Sequence, residues 1–488
     1  MTDPVLIGID VGTTTVKAAL FDENGKVLSR YANAYATTHG KNGFVEQDPN
    51  DWLKRIDTAF EHFTADHNLD SVRAIGLTSQ VNTHVFVDEN GNPLAPAIVW
   101  QDGRAAEAAA SLDGEISEAD RLKWWGGPMS VDASHALARM KWMQQMHPDI
   151  WQQTKWVMLP KDFCLFKLTG EAATDPISNI HLFDRELQPI PALLDLLPGA
   201  GDRILPAAQM TDIMGNVKPG RPCAGIPVAI GVMDAWAGMF GLGLHADKSA
   251  LYLSGTSEIL GIRSDKETPA PGVIVFPETH GIRLHAGPTQ SGGAAMLWAC
   301  GLLGLKPDEI SRLVGELDDG VAVPLFLPHL AGERAPIWDI NARGTFLGVE
   351  TQTGQAELAA SVFEGVAFAA RWLLETLEVS AGFTPEYLNC GGGGFRSESW
   401  NRIRANILGL PLNRLAVQDP GLLGAAGLAA VAAGLEPSIE AAFSSVVRFD
   451  RTFEPNLQTR ARYDEKFDLF KHAYRANSEI NHALAKQI

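Results

Sequence analysis

The stretch GIDVGTTTVKAALFDENGK, residues Gly8 to Lys26, decides the fold of this 488-residue chain. An apolar strand, Leu6 to Asp10, turns through a glycine and threonines into a second strand, Val16 to Phe21, and an Asp-Glu-Asn-Gly hairpin signal leads to a third, Lys26 to Tyr31. We expect these three strands to form a meander. A turn between two strands presents backbone amides in a concave array, to which threonine hydroxyls add further donors. The turn residues Gly12, Thr13 and Thr14 could therefore hold phosphate oxygens.

A carboxylate and an amine flank this turn. Asp10 would repel a phosphate unless a divalent cation lay between them, so it predicts Mg²⁺, bound directly or through water. Lys17 on the second strand could reach a terminal phosphate as a point charge. A role for Asp10 as a simple cap of the turn is the structural alternative, and this segment alone does not exclude it.

The composition is that of a globular protein with substantial hydrophobic cores, because 45% of the residues are hydrophobic and 20% are charged. The length exceeds the size at which a single core keeps growing, which predicts two large domains. Acidic residues outnumber basic ones by 58 to 40, for a formal charge of −18. Nucleic acid and anionic membranes are therefore disfavoured as partners.

The cysteines and the N-terminus bear on the compartment. Four cysteines lie far apart without a CxxC pair, which indicates neither a disulfide framework nor a zinc site. The first residues go straight into a strand without the basic and apolar regions of a leader, and no run of about 18 apolar residues follows. We therefore expect a cytoplasmic protein without a membrane span.

The opening pattern recurs far downstream. The stretch ALYLSGTSEILGIR, residues 250–263, is again an apolar strand, a Gly-Thr-Ser turn and a second apolar strand. A common hairpin that occurs twice is the plain alternative, because Gly-Thr-Ser turns are ordinary loop chemistry. The Asp48-Pro49 pair is typical of an N-cap and a first-turn proline, and apolar residues at helical spacing behind it, from Trp52 to Phe63, predict an amphipathic helix. Strands and helices alternate on both sides of about residue 248, which predicts two α/β domains in tandem. We expect domains of residues 1–248 and 249–488, with a hinge and a cleft at their junction.

Four consecutive glycines, residues 391–394, stand at the end of a predicted strand, directly before a helix. Without a Cβ the backbone lets a flat adenine or a phosphate approach closely, although such a run is often only a flexible turn. The chain has no GxxxxGK[ST] and no GxGxxG after its first strand, so neither a P-loop nor a Rossmann site is indicated. A hydrolase elbow of the form Gly-x-Ser-x-Gly and a metal-binding histidine spacing are also missing.

In their order along the chain, GIDVGTT, YLSGTS and CGGGG resemble the two phosphate turns and the adenosine segment of the sugar kinase, actin and Hsp70 superfamily. More narrowly, the chain is similar to the FGGY carbohydrate kinases, whose second signature matches GTFLGVETQTGQAELAASVFE, residues 344–364, without a gap. The resemblance covers residues 7 to about 430. It implies an α/β fold of two tandem actin-like (ribonuclease H-like) ATPase domains with a central cleft, and ATP and Mg²⁺ as cofactors.

The resemblance also implies the catalytic and nucleotide-binding residues. It assigns the general base to Asp234 in AIGVMDAWAGMFGLG, which would take a proton from a sugar hydroxyl as that hydroxyl attacks the γ-phosphorus. From the residues alone, an aspartate in such apolar company is either a helix N-cap or a functional acid. Contacts to the nucleotide are implied for residues of both domains, namely Thr13, Thr14, Lys17, Gly255, Thr256, Gly293, Gly393 and Gly394.

The segment LTSQVNTHVFVDENGNPLAPAIVWQDGRA resembles the substrate-reading stretch of the family. Together with Asp234, the residues that it implies as sugar contacts are Gln80, Val81, Asn82, Trp100 and Asp102. Glycerol kinases have Arg and Glu after the glutamine, so glycerol is disfavoured, whereas xylulokinases have Met and His there. In structural terms Trp100 could equally be an ordinary core tryptophan. Further along, Arg139 stands where the family usually has lysine.

These features predict an ATP-dependent kinase that phosphorylates the terminal hydroxyl of a five-carbon ketose such as xylulose. Ribulose and a four- or five-carbon polyol are the alternative substrates. The expected partners are this small sugar or polyol and ATP or ADP, with no nucleic acid and no membrane, and a homodimer is left open because dimers are common among relatives. A rival of another class is a non-catalytic nucleotide-dependent binding protein of the actin or Hsp70 kind, against which the sugar-kinase signature speaks.

Overall fold

The structure is a computed structural model that describes residues 5–127, 129–268, 270–318 and 321–485, without the side chain of Asn42. The chain forms two compact units. The first unit comprises Met1–Gly241, Phe276–Gly281 and Pro420–Val447. The second unit comprises Leu242–Val275, Ile282–Asp419 and Arg448–Ile488. The first unit thus takes in a late segment of the chain, and the boundary between residues 248 and 249 stays a prediction.

Strands and helices alternate along the chain. In chain order the strands are β1 (Val5–Val11), β2 (Thr15–Phe21), β3 (Val27–Ala34), β4 (Thr38–His39), β5 (Val45–Gln47), β6 (Val72–Ser79), β7 (Val85–Val87), β8 (Ala97–Ile98), β9 (Trp156–Met158), β10 (Ile213–Asn216), β11 (Pro227–Met233), β12 (Ala250–Ser254), β13 (Glu258–Arg263), β14 (Ile274–Val275), β15 (Leu284–Thr289), β16 (Leu325–Leu327), β17 (Thr345–Leu347), β18 (Leu388–Gly391), β19 (Leu412–Leu415) and β20 (Phe449–Phe453). The α-helices are α1 (Pro49–Asp66), α2 (Ala106–Glu115), α3 (Glu118–Trp125), α4 (Ala136–Met146), α5 (Pro148–Gln153), α6 (Pro160–Thr169), α7 (Pro191–Leu194), α8 (Asp234–Gly241), α9 (Gly293–Leu303), α10 (Pro307–Gly315), α11 (Gln355–Ala381), α12 (Glu398–Leu408), α13 (Pro420–Ala432), α14 (Ile439–Val446) and α15 (Arg460–Ala485).

The main sheet of the first unit has six strands in the order β10-β11-β6-β1-β2-β3. The first three strands in the chain form an antiparallel meander, while β6 and β11 continue the sheet parallel to β1. The central strand β1 is apolar on both faces and almost wholly buried, as expected for a strand that is covered from both sides. The predicted meander from Leu6 to Tyr31 is confirmed, with longer strands.

The main sheet of the second unit has seven strands in the order β14-β15-β13-β12-β18-β19-β20. It repeats the first sheet: β12, β13 and β15 form an antiparallel meander, and β18 and β19 follow parallel to β12. Each sheet then ends with an antiparallel edge strand, β10 or β20. The expected pair of similar α/β units, and with it the internal repeat at residues 250–263, is confirmed.

Helix α1 shows how the local sequence sets the elements. Asp48 is its N-cap, with a side chain that accepts a hydrogen bond from the amide of Asn50, and Pro49 occupies the first turn, where its missing amide costs nothing. Trp52, Ile56 and other apolar residues at helical spacing lie on its buried face. The helix predicted behind Asp48 is confirmed.

Helix α13 packs closely on the first sheet because small residues line the contact. A Cβ on Gly76 of β6 would lie 1.9 Å from the carbonyl oxygen of Ala425, and one on Gly424 would lie 1.8 Å from that of Ala237. Such distances are impossible for a side chain, so glycine is required at both positions. The helix therefore supports the part of the sheet that carries β1 and α8. Across the described residues, no helix is both long and apolar enough to cross a membrane.

Candidate active site

Two carboxylates lie at one edge of the first sheet. Asp10 is near the end of β1, and Asp234 begins α8 directly after β11. Both strands run parallel to β6 between them, and Asp10 and Val232 both pair with Thr78. The two backbones are thus two strand spacings, about 10 Å, apart at that level, and the carboxyl ends of both strands point the same way. The sheet brings these two predicted acids together.

The environment of Asp234 favours its protonated form. Burial raises the pKa of this carboxyl to about 7, and the charge of Asp10 adds to the shift. The amide of Ala235, which donates to Oδ1 at 2.8 Å, and the charge of Lys17 oppose it. A carboxyl with a pKa near 7 exists in both states at neutral pH, which is the property of a group that accepts and releases protons.

Lys17 and Gly12 lie close to Asp10. Lys17 pairs with Asp10 across β1 and β2, and its Nζ is 4.0 Å from Asp10 Oδ2. A Cβ on Gly12 would be 3.8 Å from both carboxylate oxygens of Asp10, so this side of the carboxylate faces the turn. The described chain holds no cluster of three or more His, Cys, Asp or Glu that could bind a metal. A single hard carboxylate beside a phosphate turn suits Mg²⁺, which is held by one or two carboxylates, water and substrate phosphates.

The turn of residues 12–14 is held by side chains from elsewhere in the first unit. The hydroxyl of Tyr35 donates to the carbonyl of Gly12, and Gln47 Nε2 donates to the carbonyl of Thr13 at 2.7 Å. The backbone amide of Tyr35 also donates to the carbonyl of Thr14 at 3.3 Å. Because peptide groups are planar, fixing these carbonyls also fixes the directions of the following amides. The turn is preorganised before any ligand binds.

Two predicted sugar contacts connect to this turn. Trp100 Nε1 donates to Thr13 Oγ1 at 3.1 Å, and the side chain is partly exposed. This tryptophan is therefore not an ordinary core residue. Gln80 Nε2 donates to Gln47 Oε1 at 2.9 Å, and its own Oε1 is buried with no hydrogen-bond partner among the described residues. Gln47 thus joins Gln80 to Thr13. Sequence reasoning missed Gln47, although a buried polar residue at the end of β5 is a signal.

Asn82 and Val81 are both partly exposed beside Gln80. Asn82 has a φ of 54°, a left-handed conformation that asparagine tolerates, and its carbonyl accepts a hydrogen bond from the buried Arg139. Its Nδ2 donates to Ser134 Oγ at 3.3 Å. Arg139 therefore supports the conformation of the loop that carries the predicted sugar contacts.

Asp102 is buried, and its oxygens are already engaged. Arg104 Nε and Nη2 donate to its two oxygens at 2.8 and 2.7 Å, and the amide of Val45 donates at 2.5 Å. The guanidinium of Arg104 also lies 3.8 Å from the ring centroid of Phe44. This geometry fits a carboxylate that fixes the loop after Trp100, and a direct contact of Asp102 with a sugar stays a prediction.

A pair of histidines lies next to Ser134. The rings of His135 and His181 stack with centroids 5.0 Å apart and planes 11° from parallel. The amide of Leu137 donates to His135 Nδ1 at 3.1 Å, which places the proton of the neutral ring on Nε2. Burial lowers the pKa of both rings. Both are therefore neutral at pH 7. No pattern in the sequence indicates that these two histidines meet.

The five predicted nucleotide-binding residues of the second unit cluster around its repeated turn. Gly255 and Thr256 are exposed in the turn between β12 and β13. The amide of Gly293, at the start of α9, donates to the carbonyl of Gly255 at 2.8 Å. The glycine run follows β18, which is hydrogen-bonded to β12, so Gly393 and Gly394 lie at the same sheet edge as the turn.

A cavity of about 500 Å³ opens beside the glycine run, within the size range of small-molecule sites. Its lining comes from α9, α10, α12 and the glycine run: Met296, Pro307, Asp308, Ser311, Arg312, Gly315, Gly393, Gly394, Arg396, Ser397, Glu398, Ser399 and Arg402. The glycines leave the backbone open to a flat ring, and the arginines provide positive charge. These properties suit a nucleoside with phosphates.

Comparisons with known proteins agree with the resemblance that the sequence motifs indicate. The sequence profile of the FGGY family of carbohydrate kinases, N-terminal domain, matches residues 5–241, and that of the C-terminal domain matches residues 250–433. The xylulose kinase of Escherichia coli (strain K12) is 30% identical over 486 residues, which cover 96% of this chain and 98% of that protein.

Solved structures share the fold. The ligand-bound xylulose kinase from Lactobacillus acidophilus has a TM-score of 0.88 at 24% identity, over 97% of this chain and 98% of that chain. A gluconate kinase from the same organism also has a TM-score of 0.88 at 24% identity, over 98% of both chains. Kinases of different sugars thus share this two-domain actin-like architecture, and the fold alone does not select the substrate.

Proposed function

Since the chain belongs to the FGGY family of carbohydrate kinases, we propose that it transfers the γ-phosphoryl group of ATP to the terminal hydroxyl of xylulose. The kinase class, with ATP and Mg²⁺, follows from the family. The choice of xylulose rests on the names of relatives that match almost the whole chain.

One observation carries the proposed chemistry: Asp234 lies at the same sheet edge as Asp10 and the phosphate turn, with its pKa raised to about 7. A sugar hydroxyl is a poor nucleophile, so a carboxylate within hydrogen-bond reach assists by taking its proton. In its ionised state Asp234 would accept the proton of the terminal hydroxyl as the oxygen attacks the γ-phosphorus. A pKa near 7 lets the same group release that proton after transfer.

The remaining site residues of the first unit would position the two substrates and neutralise phosphate charge. Asp10 would hold Mg²⁺, which neutralises phosphate charge when it is bound. The amides and hydroxyls of Thr13 and Thr14 would donate to phosphate oxygens, and Lys17 would supply a positive charge. Trp100 and Gln80 would orient the sugar through the same network that fixes the turn. Sugar position and phosphate position are thereby coupled through Gln47.

In the second unit, Gly255, Thr256 and Gly293 would contact the phosphates, and Gly393 and Gly394 would border the nucleoside. We assign sugar binding and the base to residues 1–248 and nucleotide binding to residues 249–488. The 500 Å³ cavity beside the glycine run supports this assignment, because it provides space next to the predicted phosphate turn.

A cytoplasmic location and a homodimer complete the proposal. The four cysteines are free thiols, which is the expected state in a reducing compartment. Fractionation of the native host would test the location. Light scattering of the purified chain would test the dimer, and a mass of one chain would reject it.

The experiment is a coupled assay of ADP release with Mg²⁺, ATP and a panel of acceptors: xylulose, ribulose, xylitol, erythritol, gluconate and glycerol. We expect xylulose to have the highest kcat/KM, with ribulose or a polyol next. A higher kcat/KM for another acceptor would overturn the assignment of xylulose as the substrate. A rate of ADP release that is the same with and without every acceptor would overturn the assignment as a sugar kinase. Asp234→Asn serves as the control, since it should slow acceptor-dependent release of ADP by roughly 10²- to 10⁴-fold.

A further inference from the structure

A fully buried ion pair lies directly behind the predicted phosphate turn of the second unit. Glu258 is the first residue of β13, and its Oε1 is 2.5 Å from Arg404 Nη2 on α12. Ser254 Oγ donates to the same oxygen at 2.8 Å, and the hydroxyl of Tyr252 donates to Oε2 at 2.5 Å. The side chains of Glu258 and Arg404 have no exposed surface. Three donors therefore fix one carboxylate at the base of the turn.

Arg404 extends this network to the glycine run. Its Nη1 donates to the carbonyl of Gly394 at 2.8 Å, and its Nη2 donates to Ser254 Oγ at 3.0 Å. The guanidinium lies 3.9 Å from the ring centroid of Trp400 and 4.5 Å from that of Phe395. Aromatic rings and the ion pair thus hold the planar group in one orientation.

The segments around the pair leave little room to move. A Cβ on Gly394 would lie 2.0 Å from Ser254 Oγ, and a Cβ on Gly292 would lie 2.8 Å from Glu258 Cγ. The amide of Gly293 donates to the carbonyl of Gly255. The turn of residues 255–257, the start of α9 and the glycine run therefore meet around one charged pair.

A buried ion pair is a weak source of stability, because desolvation of both charges offsets their attraction. Its geometry is nevertheless specific: the guanidinium fork allows one arrangement of the carboxylate and the Gly394 carbonyl. We propose that Glu258 and Arg404 are positioning residues for the nucleotide, which hold the phosphate turn and the glycine run at a fixed separation without touching the ligand. This inference rests on the proposed binding of ATP by the second unit.

The test uses direct binding of Mg²⁺-free ADP to the full chain by calorimetry, together with KM values for ATP and for the sugar. Glu258→Gln and Arg404→Met should each weaken ADP binding by about tenfold or more and raise the KM for ATP, while the KM for the sugar stays within about twofold. Arg404→Lys keeps the charge but loses the fork, and it should recover only part of the affinity.

A matched control separates positioning from stability. Arg371 on α11 is also a buried arginine with two acidic partners, Glu375 and Asp464, and its guanidinium lies 4.4 Å from the ring centroid of Phe467. Arg371→Met should lower the melting temperature as Arg404→Met does, but leave ADP affinity unchanged. If Arg404→Met does not fold, Glu258→Gln, which keeps the volume, decides the question.

The outcomes distinguish this inference from the proposed function. Wild-type affinity for ADP in a folded Glu258→Gln or Arg404→Met variant would overturn the positioning role. An equal loss of affinity in Arg371→Met would also overturn it, since general destabilisation would then explain the effect. A wild-type chain that binds ADP but phosphorylates no sugar would instead contradict the proposed function and leave the binding comparison intact.

Discussion

Replacement of Asp234 by asparagine should slow catalysis and stabilise the protein at the same time. Loss of a general base lowers turnover by roughly 10²- to 10⁴-fold. The stability effect follows from linkage between folding and protonation. The pKa of Asp234 is about 7 in the folded state and 3.8 ordinarily, so the folded state keeps this proton to a higher pH than the unfolded chain does. Stability from this group is therefore present at low pH and is lost as the pH rises through about 7.

The magnitude follows from the size of the shift. Each pKa unit corresponds to about 1.36 kcal/mol, so between about pH 5 and pH 7 the wild type would lose at most about 3 kcal/mol through this group. Part of the surface of Asp234 is exposed to solvent. Solvent screening therefore reduces the expected loss of stability to about 1–2 kcal/mol. Asparagine has no such titration.

The assay is thermal unfolding of the ligand-free wild type and Asp234→Asn at about pH 5 and about pH 8. The melting temperature of the variant relative to that of the wild type should rise by a few degrees between the two conditions. Asp202→Asn, which removes an exposed aspartate of the same unit, should leave that difference near zero. If the melting temperatures of Asp234→Asn and the wild type changed in parallel with pH, the raised pKa and the reasoning built on it would be refuted.

Other changes test the remaining parts of the site. Asp10→Asn should raise the Mg²⁺ concentration for half-maximal activity by about tenfold or more, and an unchanged requirement would remove Asp10 from the metal site. Gln47→Leu should raise the KM values for sugar and ATP together, since it cuts the link between Gln80 and Thr13; a change in one alone would contradict the coupling. His181→Ala removes the ring that stacks on His135, next to the Ser134 that holds the side chain of Asn82, so it should raise the KM for the sugar by about threefold or more while the dissociation constant for ADP stays constant. An unchanged KM for the sugar would show that the stacked pair does not support the predicted sugar contacts. Gly76→Ala should lower the free energy of unfolding by several kcal/mol or prevent folding, because the new methyl group would overlap the Ala425 carbonyl. A soluble variant with wild-type stability would contradict the close packing.

Local patterns were sufficient for much of the fold. The alternation of apolar strands and turns predicted the two meanders, and the Asp48-Pro49 pair predicted the start of α1, because both features depend on neighbouring residues. The repeated strand-turn-strand pattern at residues 250–263 predicted the second sheet for the same reason.

Contacts between distant segments could not be predicted in this way. Glu258 and Arg404 are 146 residues apart, and only the folded sheet and α12 bring them together. Gln47 reaches Thr13 across 34 residues, and its only trace in the sequence is a polar residue at the buried end of a short strand. The grouping of α13 with the first unit likewise depends on glycine contacts that no local pattern reveals.

The most direct test of the account is phosphorus NMR of the products formed from ATP, Mg²⁺ and xylulose by the wild-type chain. We predict ADP and a sugar phosphate monoester in equal amounts, both formed roughly 10²- to 10⁴-fold more slowly when Asp234→Asn replaces the wild type. Inorganic phosphate formed at the same rate with and without sugar would contradict phosphoryl transfer to an alcohol, and a full yield of sugar phosphate from Asp234→Asn at the wild-type rate would contradict the base.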